Sequence, residues 1–375
     1  MSEYQYYEFR AIDKILTKKQ KETISSLSSR AHITSQKASF IYNYGSFSGN
    51  IEKLMEECFD IMLYITNWGT TRLMFCIPLP LIDIEKIKNI CISDEINYWI
   101  SKTKKNVILD LNFCNEEQER WIEGEGWLDE LIDLRAELIK GDYRILYLAW
   151  LKAAEQALDF DEIDEDTLEP MIPFGLKKLS KAQDTYIELI GLNKTLIKVA
   201  AKQSKNKNQV INMKKWITKL SKKEQQDFLY RLSLEERNLS VILNKRLHAL
   251  KEQEEGCEEE KIIKRRSISL LINLTKNLDD KKQKKELEKI EFKRQNKLND
   301  LAARKDKVWK EIYILIAERN TLSYDKAVKL LMNLHELAEY KNELLLFKES
   351  IDKITNTYSN RPALLRIMRS FKLIE

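Results

Sequence analysis

Apolar and polar positions along the first third of the chain change period repeatedly. "YQYYEFRAI" (4–12) crowds aromatics into a short run and predicts a strand. "TKKQKETISSLSS" (17–29) spaces its few apolar residues for a helix, with Thr17 placed to cap it. "ASFIYNYG" (38–45) predicts a second strand ending at Gly45. In "NIEKLMEECFDIMLYITNW" (50–68), Ile51, Leu54, Met55, Phe59, Met62 and Leu63 share one helical face, so a helix is expected up to a stop at Gly69. "TTRLMFCIPLP" (70–80) is a buried strand halted by Pro78 and Pro80. "DIEKIKNIC" (83–91) is a short helix, and "INYWISKTKKNVILDLNF" (96–113) a hairpin turning at Lys102–Asn106. The order β-α-β-α-β-α-β-β predicts an α+β domain over 1–122, a small sheet with helices on one face. A ferredoxin-like arrangement is one way to connect it.

The pattern then becomes helical. "GWLDELIDLRAELIK" (126–140) ends at Gly141, a good residue to close a helix, and Asp142 is placed to cap "YRILYLAWLKAAEQAL" (143–158). Both helices are widely apolar, so they are expected to pack between the two halves of the chain. After Gly191 only Gly256 and Pro362 interrupt the sequence, which predicts an all-α region. Within it Leu298, Leu301, Val308, Ile312, Leu315 and Leu322 form a heptad-like row broken by Lys305 and Arg319, suited to one arm of a short coiled-coil-like hairpin. The last helices are expected from about Tyr324 to Thr357 and through "NRPALLRIMRSF". The expected division is an α+β domain at 1–122, a helical pair with an acidic linker at 123–170, and a basic all-α domain at 171–375.

Charge sharpens that division. The chain has 375 residues and a formal net charge of +5, but residues 1–170 sum to −12 and residues 171–375 to +17. Halves of opposite sign suit different partners, or each other. The stretch 155–169 holds eight acids and no base, and it lacks the glycine and ligand spacing of a calcium loop. Residues 171–223 hold thirteen lysines against Asp184 and Glu188. Lys194, Lys198, Lys202 and Lys205 fall on one helical ridge with no acid at i±3 or i±4, an arrangement that weakens a helix unless an anion is present. Lys207 lies in the loop that follows. In the next helix Val210, Met213, Ile217 and Leu220 form an apolar seam with Trp216 beside it, and Lys215, Lys219 and Lys222 are expected on the opposite face. The rows suit nucleic-acid phosphate. They suit the chain's own acids as well: Asp159, Asp161, Glu162, Asp164, Glu165 and Asp166 are expected to lie near the ridge and screen it. A solvated face is the plain alternative.

Signatures of chemistry are sparse. No phosphate-binding glycine loop, nucleophile elbow or paired-histidine zinc motif occurs, and His32, His248 and His335 fall in separate elements. No metal site, cofactor site or catalytic residue is expected. Cys58, Cys76, Cys91, Cys114 and Cys257 are widely spaced and odd in number, unlike a disulfide framework. Tyr4, Tyr6, Tyr7 and Phe9 at strand spacing read as core and cross-strand pairs before they read as base-stacking residues. No apolar run approaches the ~20 residues that span a bilayer, and the start lacks the basic and apolar regions of a signal peptide, so a cytoplasmic, non-membrane protein is expected.

Four patches, "MSEYQYYEFRAID", "NWGTTRLMFCIP", "EGWLDELIDLRAELIKGDYRILYLAWL" and "NRPALLR", resemble a group of bacterial proteins and span the chain from Met1 to Arg366. Some proteins of that kind look like accessory proteins of type III-E CRISPR loci, where a guide-RNA effector is joined to a caspase-like protease with a sigma factor nearby. The resemblance implies a regulatory binding role, with the effector–protease complex or the sigma factor as protein partner, and it carries over no catalytic residue. Three readings stay open: a non-enzymatic interaction or regulatory protein in CRISPR-linked antiviral defence, a nucleic-acid-binding protein working through its lysine helices, and an enzyme with an unfamiliar site.

Overall fold

The structure is a computed structural model; it describes residues 3–114, 123–159, 164–205, 213–255 and 265–374. The chain divides into two compact units, Met1–Leu278 and Asp279–Glu375. The strands are β1 (Gln5–Arg10), β2 (His32–Ile33), β3 (Lys37–Tyr42), β4 (Ile61–Thr66), β5 (Thr70–Pro78), β6 (Ile96–Ile100) and β7 (Asn106–Cys114). Among them run α1 (Lys18–Leu27), α2 (Ile51–Glu57) and α3 (Ile84–Lys88). The helices α4 (Trp127–Leu131), α5 (Asp133–Ile139), α6 (Arg144–Asp159), α7 (Lys181–Ile190), α8 (Lys194–Ala201), α9 (Met213–Ile217), α10 (Lys222–Ser233) and α11 (Leu239–Glu255) follow. Helix α12 (Ile268–Ala303) begins in the first unit. The second holds α13 (Lys305–Ala317), α14 (Thr321–Tyr340), α15 (Leu344–Thr357) and α16 (Pro362–Ser370).

The strands form one antiparallel sheet in the order β2-β3-β1-β4-β5-β7-β6. An α+β region followed by helices is therefore what the chain builds, and among the described residues no strand follows Cys114. Alternation along each strand sends two sets of side chains to opposite faces. Tyr7, Phe9, Phe40, Met62, Met74 and Ile108 meet Ile24 of α1 and Leu54 and Met55 of α2. The other face, which the sequence reading leaves open, is covered too: Leu63, Phe75, Leu109 and Phe113 pack with Ile87 of α3 and with the apolar sides of α4 to α8.

Segment 61–66 departs from expectation. It is β4, a central strand, not the continuation of α2. Ile61, Leu63 and Ile65 enter one core and Met62 the other. A strand buried on both faces shows no alternation, so its apolar run imitates a helical face. Gly69, with φ of +94°, serves the β4–β5 turn instead of closing a helix. The caps are as the residue types predict: Thr17 and Gln20 form a reciprocal capping box, and Gly141 closes α5 in the left-handed region at φ +83°.

The core that lines the second face continues through Leu134, Trp150, Tyr186, Ile190 and Val199 to Leu271 of α12. It runs across Pro170, where the reading places a domain boundary. The sign of the charge changes there, but charge sits on the surface, and buried apolar faces decide where a unit ends.

In the second unit Leu298, Leu301, Val308 and Ile312 are buried with Leu331, Phe347, Ile351 and Leu364, and Leu315 packs beside them. Leu322 is 76% exposed and leaves the expected row. The row crosses two helix ends, at Arg304 and at Arg319, whose φ is +58°. Lys305, which interrupts the row, pairs with Glu343 at 2.7 Å. A break also separates α14 from α15, where Asn342 takes a φ of +56° in place of a continuous helix.

Candidate functional site

The basic face is assembled from two segments that the sequence separates. The first is α8. Asn193 caps it by accepting from the Thr195 amide, and Leu196, Ile197, Val199 and Ala200 bury one side. That burial turns Lys194 and Lys198, with Lys202 at the helix end and Lys205 beyond it, to the exposed side. Lys194 to Lys202 spans ~12 Å of helix rise. Among the described residues, no ion pair involves any of these four lysines.

The second segment is the turn 173–178. Ser204 Oγ donates to the Pro173 carbonyl at 2.8 Å, the Leu176 amide donates to Ser204 Oγ at 3.1 Å, and the Gly175 amide donates to the Lys205 carbonyl at 2.9 Å. Arg144 Nη1 donates to the carbonyls of Gly175 and Lys178 from below, while Asp142 holds its guanidinium at 2.6 Å. Gly175 has φ of +79°, which lets the chain reverse, and Leu176 is buried as an anchor. The exposed Lys177 and Lys178 are thereby brought beside the end of α8. Sequence spacing had singled out neither, because their neighbourhood with Lys205 is made by backbone pairing across about thirty residues.

The other lysine row behaves differently. Trp216 is buried with Leu220 and Leu247, as expected of a core residue. Helix α9 is short, and Met213 and Ile217, both placed in the seam by sequence, are 40% exposed. Lys215 and Lys219 are exposed but not unpartnered: their ammonium groups lie 4.8 and 5.3 Å from the centroid of the Trp216 ring, and Lys219 also pairs with Glu254 of α11. The compensating acid is distant in sequence, which local spacing could not reveal. Lys222 is exposed at the start of α10. Lys207 and Val210 lie outside the described residues.

Of the acidic segment, Asp161, Glu162 and the side chain of Asp159 lie outside the described residues. Asp164, Glu165 and Asp166 are exposed, and among the described residues none of them pairs with a lysine. Their backbone is tied to the start of α12: the Ile268 amide donates to the Thr167 carbonyl at 3.0 Å, the Ser269 amide to Glu165 at 3.2 Å, and the Glu169 amide to Arg266 at 2.9 Å. These bonds fasten the strap formed by residues 164–169 to the start of α12.

The strap ends in a buried ion pair. Glu169 is 0% exposed; its carboxylate accepts from Arg266 Nε at 2.7 Å and Nη2 at 2.9 Å, and from the Tyr147 hydroxyl at 2.9 Å. Arg266 spends its remaining donors on the carbonyls of Val199 at 3.0 Å and Ala200 at 3.3 Å, in the last turn of α8. Burial, with the Glu169 charge beside it, pushes the Tyr147 phenol well above its ordinary range, so it remains a donor to Glu169. One guanidinium thus joins the strap, the start of α12 and the end of the lysine helix.

His32 stands in β2, His248 in α11 and His335 in α14, where His335 lies 3.8 Å from Glu339. Among the described residues no group of three or more His, Cys, Asp or Glu is arranged to hold a metal ion. Cys58, Cys76, Cys91 and Cys114 are free thiols, and Cys257 lies outside the described residues. No described helix is long and apolar enough to cross a membrane. No family model, curated protein or solved structure matches this chain.

Proposed function

We propose that this chain is an interaction protein, not an enzyme, and that it engages a polyanionic partner through the face carrying Lys177, Lys178, Lys194, Lys198, Lys202 and Lys205. The observation that carries the reading is the difference between the lysine rows. Lys219 has found an acid and an aromatic ring, and Lys181 pairs with Glu130 at 3.0 Å. The α8 row has no ion partner among the described residues, yet the carbonyls of its last turn, Val199 and Ala200, accept from Arg266, and Ser204 just beyond it ties the chain to the Pro173 turn. Like charges at i, i+4 weaken a helix by a few tenths of a kcal/mol per pair. A phosphate chain relieves that repulsion and releases condensed counterions as it does so. The resemblance of the four sequence patches to accessory proteins of type III-E CRISPR loci supports a regulatory role for this binding in antiviral defence, inside the cell, with an effector–protease complex or a sigma factor as the partner.

The test is fluorescence anisotropy of the full chain with labelled heparin and labelled duplex DNA across a salt series. Wild type is expected to bind at low salt. Lys194→Ala/Lys198→Ala/Lys202→Ala is expected to bind more weakly and to flatten the log–log salt slope by about 2 to 3, at ~0.7–0.9 per phosphate contact. Wild type that binds no polyanion, or a triple variant that keeps the wild-type slope, would overturn the reading.

A further inference from the structure

We infer that the polyanion is a single-stranded nucleic acid and that Phe174 is the platform on which one of its bases stacks; the inference rests on the proposed lysine face. Phe174 is 57% exposed, and Leu168 and Met171, earlier in the same segment, are each 56% exposed. A single exposed apolar residue is ordinary. Phe174 is distinguished by how it is held. The carbonyl of the residue before it accepts from Ser204 Oγ, and the amide of the residue after it donates to Lys205. Leu176, two residues on, is sunk in the core, and Gly175 bends the chain between them. The ring is therefore presented outward by a backbone fixed on both sides. Among the described residues it stacks on no other ring.

The exposed residues tied to this turn are basic. Lys177 and Lys178 follow Phe174 in the chain, and the Lys205 carbonyl, at the end of the α8 row, accepts from the amide of Gly175, the residue after Phe174. A cationic track with an aromatic face on it fits a chain that offers both phosphates and uncovered bases. Duplex DNA presents its phosphates but keeps its bases stacked inside, so it would use the lysines and leave the ring idle. Heparin and polyphosphate have no bases at all. Single strands alone use both features, and every base has a face to stack, so little sequence preference is expected.

Anisotropy with three labelled probes tests this: a single-stranded oligonucleotide, the same sequence as a duplex, and heparin. Wild type should prefer the single strand over the duplex. Phe174→Ala should weaken single-strand binding about tenfold and leave duplex and heparin binding unchanged, while Phe174→Trp should retain the preference. Phe174→Leu keeps apolar surface without an aromatic face and should behave like Phe174→Ala. The inference is overturned if Phe174→Ala binds the single strand as wild type does, if Phe174→Leu retains full single-strand binding, or if an acidic, leucine-rich peptide competes better than the single strand. Should the lysine triple variant keep full heparin binding, it is the underlying lysine face that has failed, whatever Phe174 does.

Discussion

Arg266→Ala removes the guanidinium that joins three elements, and the structure sets the size of the effect. Glu169 is fully buried and would keep only the Tyr147 hydroxyl and the residue-266 amide, which donates at 3.2 Å. The Val199 and Ala200 carbonyls would each lose a donor. Leaving one partner of a buried ion pair uncompensated destabilises by roughly 3–5 kcal/mol, a large part of the ~5–15 kcal/mol that holds a domain together. At ~2–4 °C per kcal/mol for a unit of this size, the transition of the first unit should fall by about 10 °C. Differential scanning calorimetry of the full chain reads it. Glu169→Leu/Arg266→Met removes both charges and keeps volume, so it should be less destabilised than Arg266→Ala. Amide exchange at Lys202 and Ser204 should also quicken in Arg266→Ala, because the last turn of α8 loses its clamp. A fall of less than ~2 °C, below what 1 kcal/mol would produce, would show that the pair is solvated and that the clamp argument is wrong.

The Tyr186 hydroxyl lies in the core with no hydrogen-bond partner among the described residues, and burial pushes its phenol above the ordinary range. Tyr186→Phe removes an unsatisfied group and should leave the melting temperature unchanged or raise it by a few degrees; a fall would show that the hydroxyl is bonded. Glu224 at the start of α10 has its carboxyl lowered to about 2, chiefly by the Ser221 amide and hydroxyl and then by Arg246. A lowered folded value means the capping box contributes above the ordinary carboxylate value of 4.5 and is lost as pH falls toward 2; a carboxyl NMR titration with its midpoint at 4 or higher would refute this. Asp164→Asn/Glu165→Gln/Asp166→Asn should tighten heparin binding at low salt. The gain should fade near physiological ionic strength, where the Debye length is ~8 Å, and no gain at low salt would show that these acids do not screen the lysine face.

Reading the sequence reached the fold class, most caps, the exposure of Lys194, Lys198, Lys202 and Lys205, and the burial of Trp216, because each is set by local spacing or residue type. It lost β4, since a strand buried on both faces carries no alternation. It misjudged Lys219, whose acid Glu254 is thirty-five residues away in another helix. It passed over Phe174, Lys177 and Lys178, which become part of one face only when Gly175 pairs with Lys205. Glu169 and Arg266 were equally hidden: each is a charged residue in a charged neighbourhood, and only burial separates them from the solvated rest.

The two blocks of opposite charge in residues 155–223 now have separate physical accounts. Exposed ion pairs contribute only ~0–1 kcal/mol each, too little to hold an acidic strap across a lysine ridge by themselves. The strap is held instead by backbone hydrogen bonds to the first amides of α12 and by the buried Glu169–Arg266 pair. Asp164, Glu165 and Asp166 thereby stand at the positive end of a long helix, where negative charge is stabilised without any lysine. Arg266, which completes the fastening, turns its other donors to the end of α8 and so fixes the helix whose outer side carries Lys194 and Lys198. The acids serve the scaffold locally and reach the α8 lysines only through the long-range field, so Lys194, Lys198, Lys202 and Lys205 are left with no ion partner among the described residues, unlike Lys181 and Lys219.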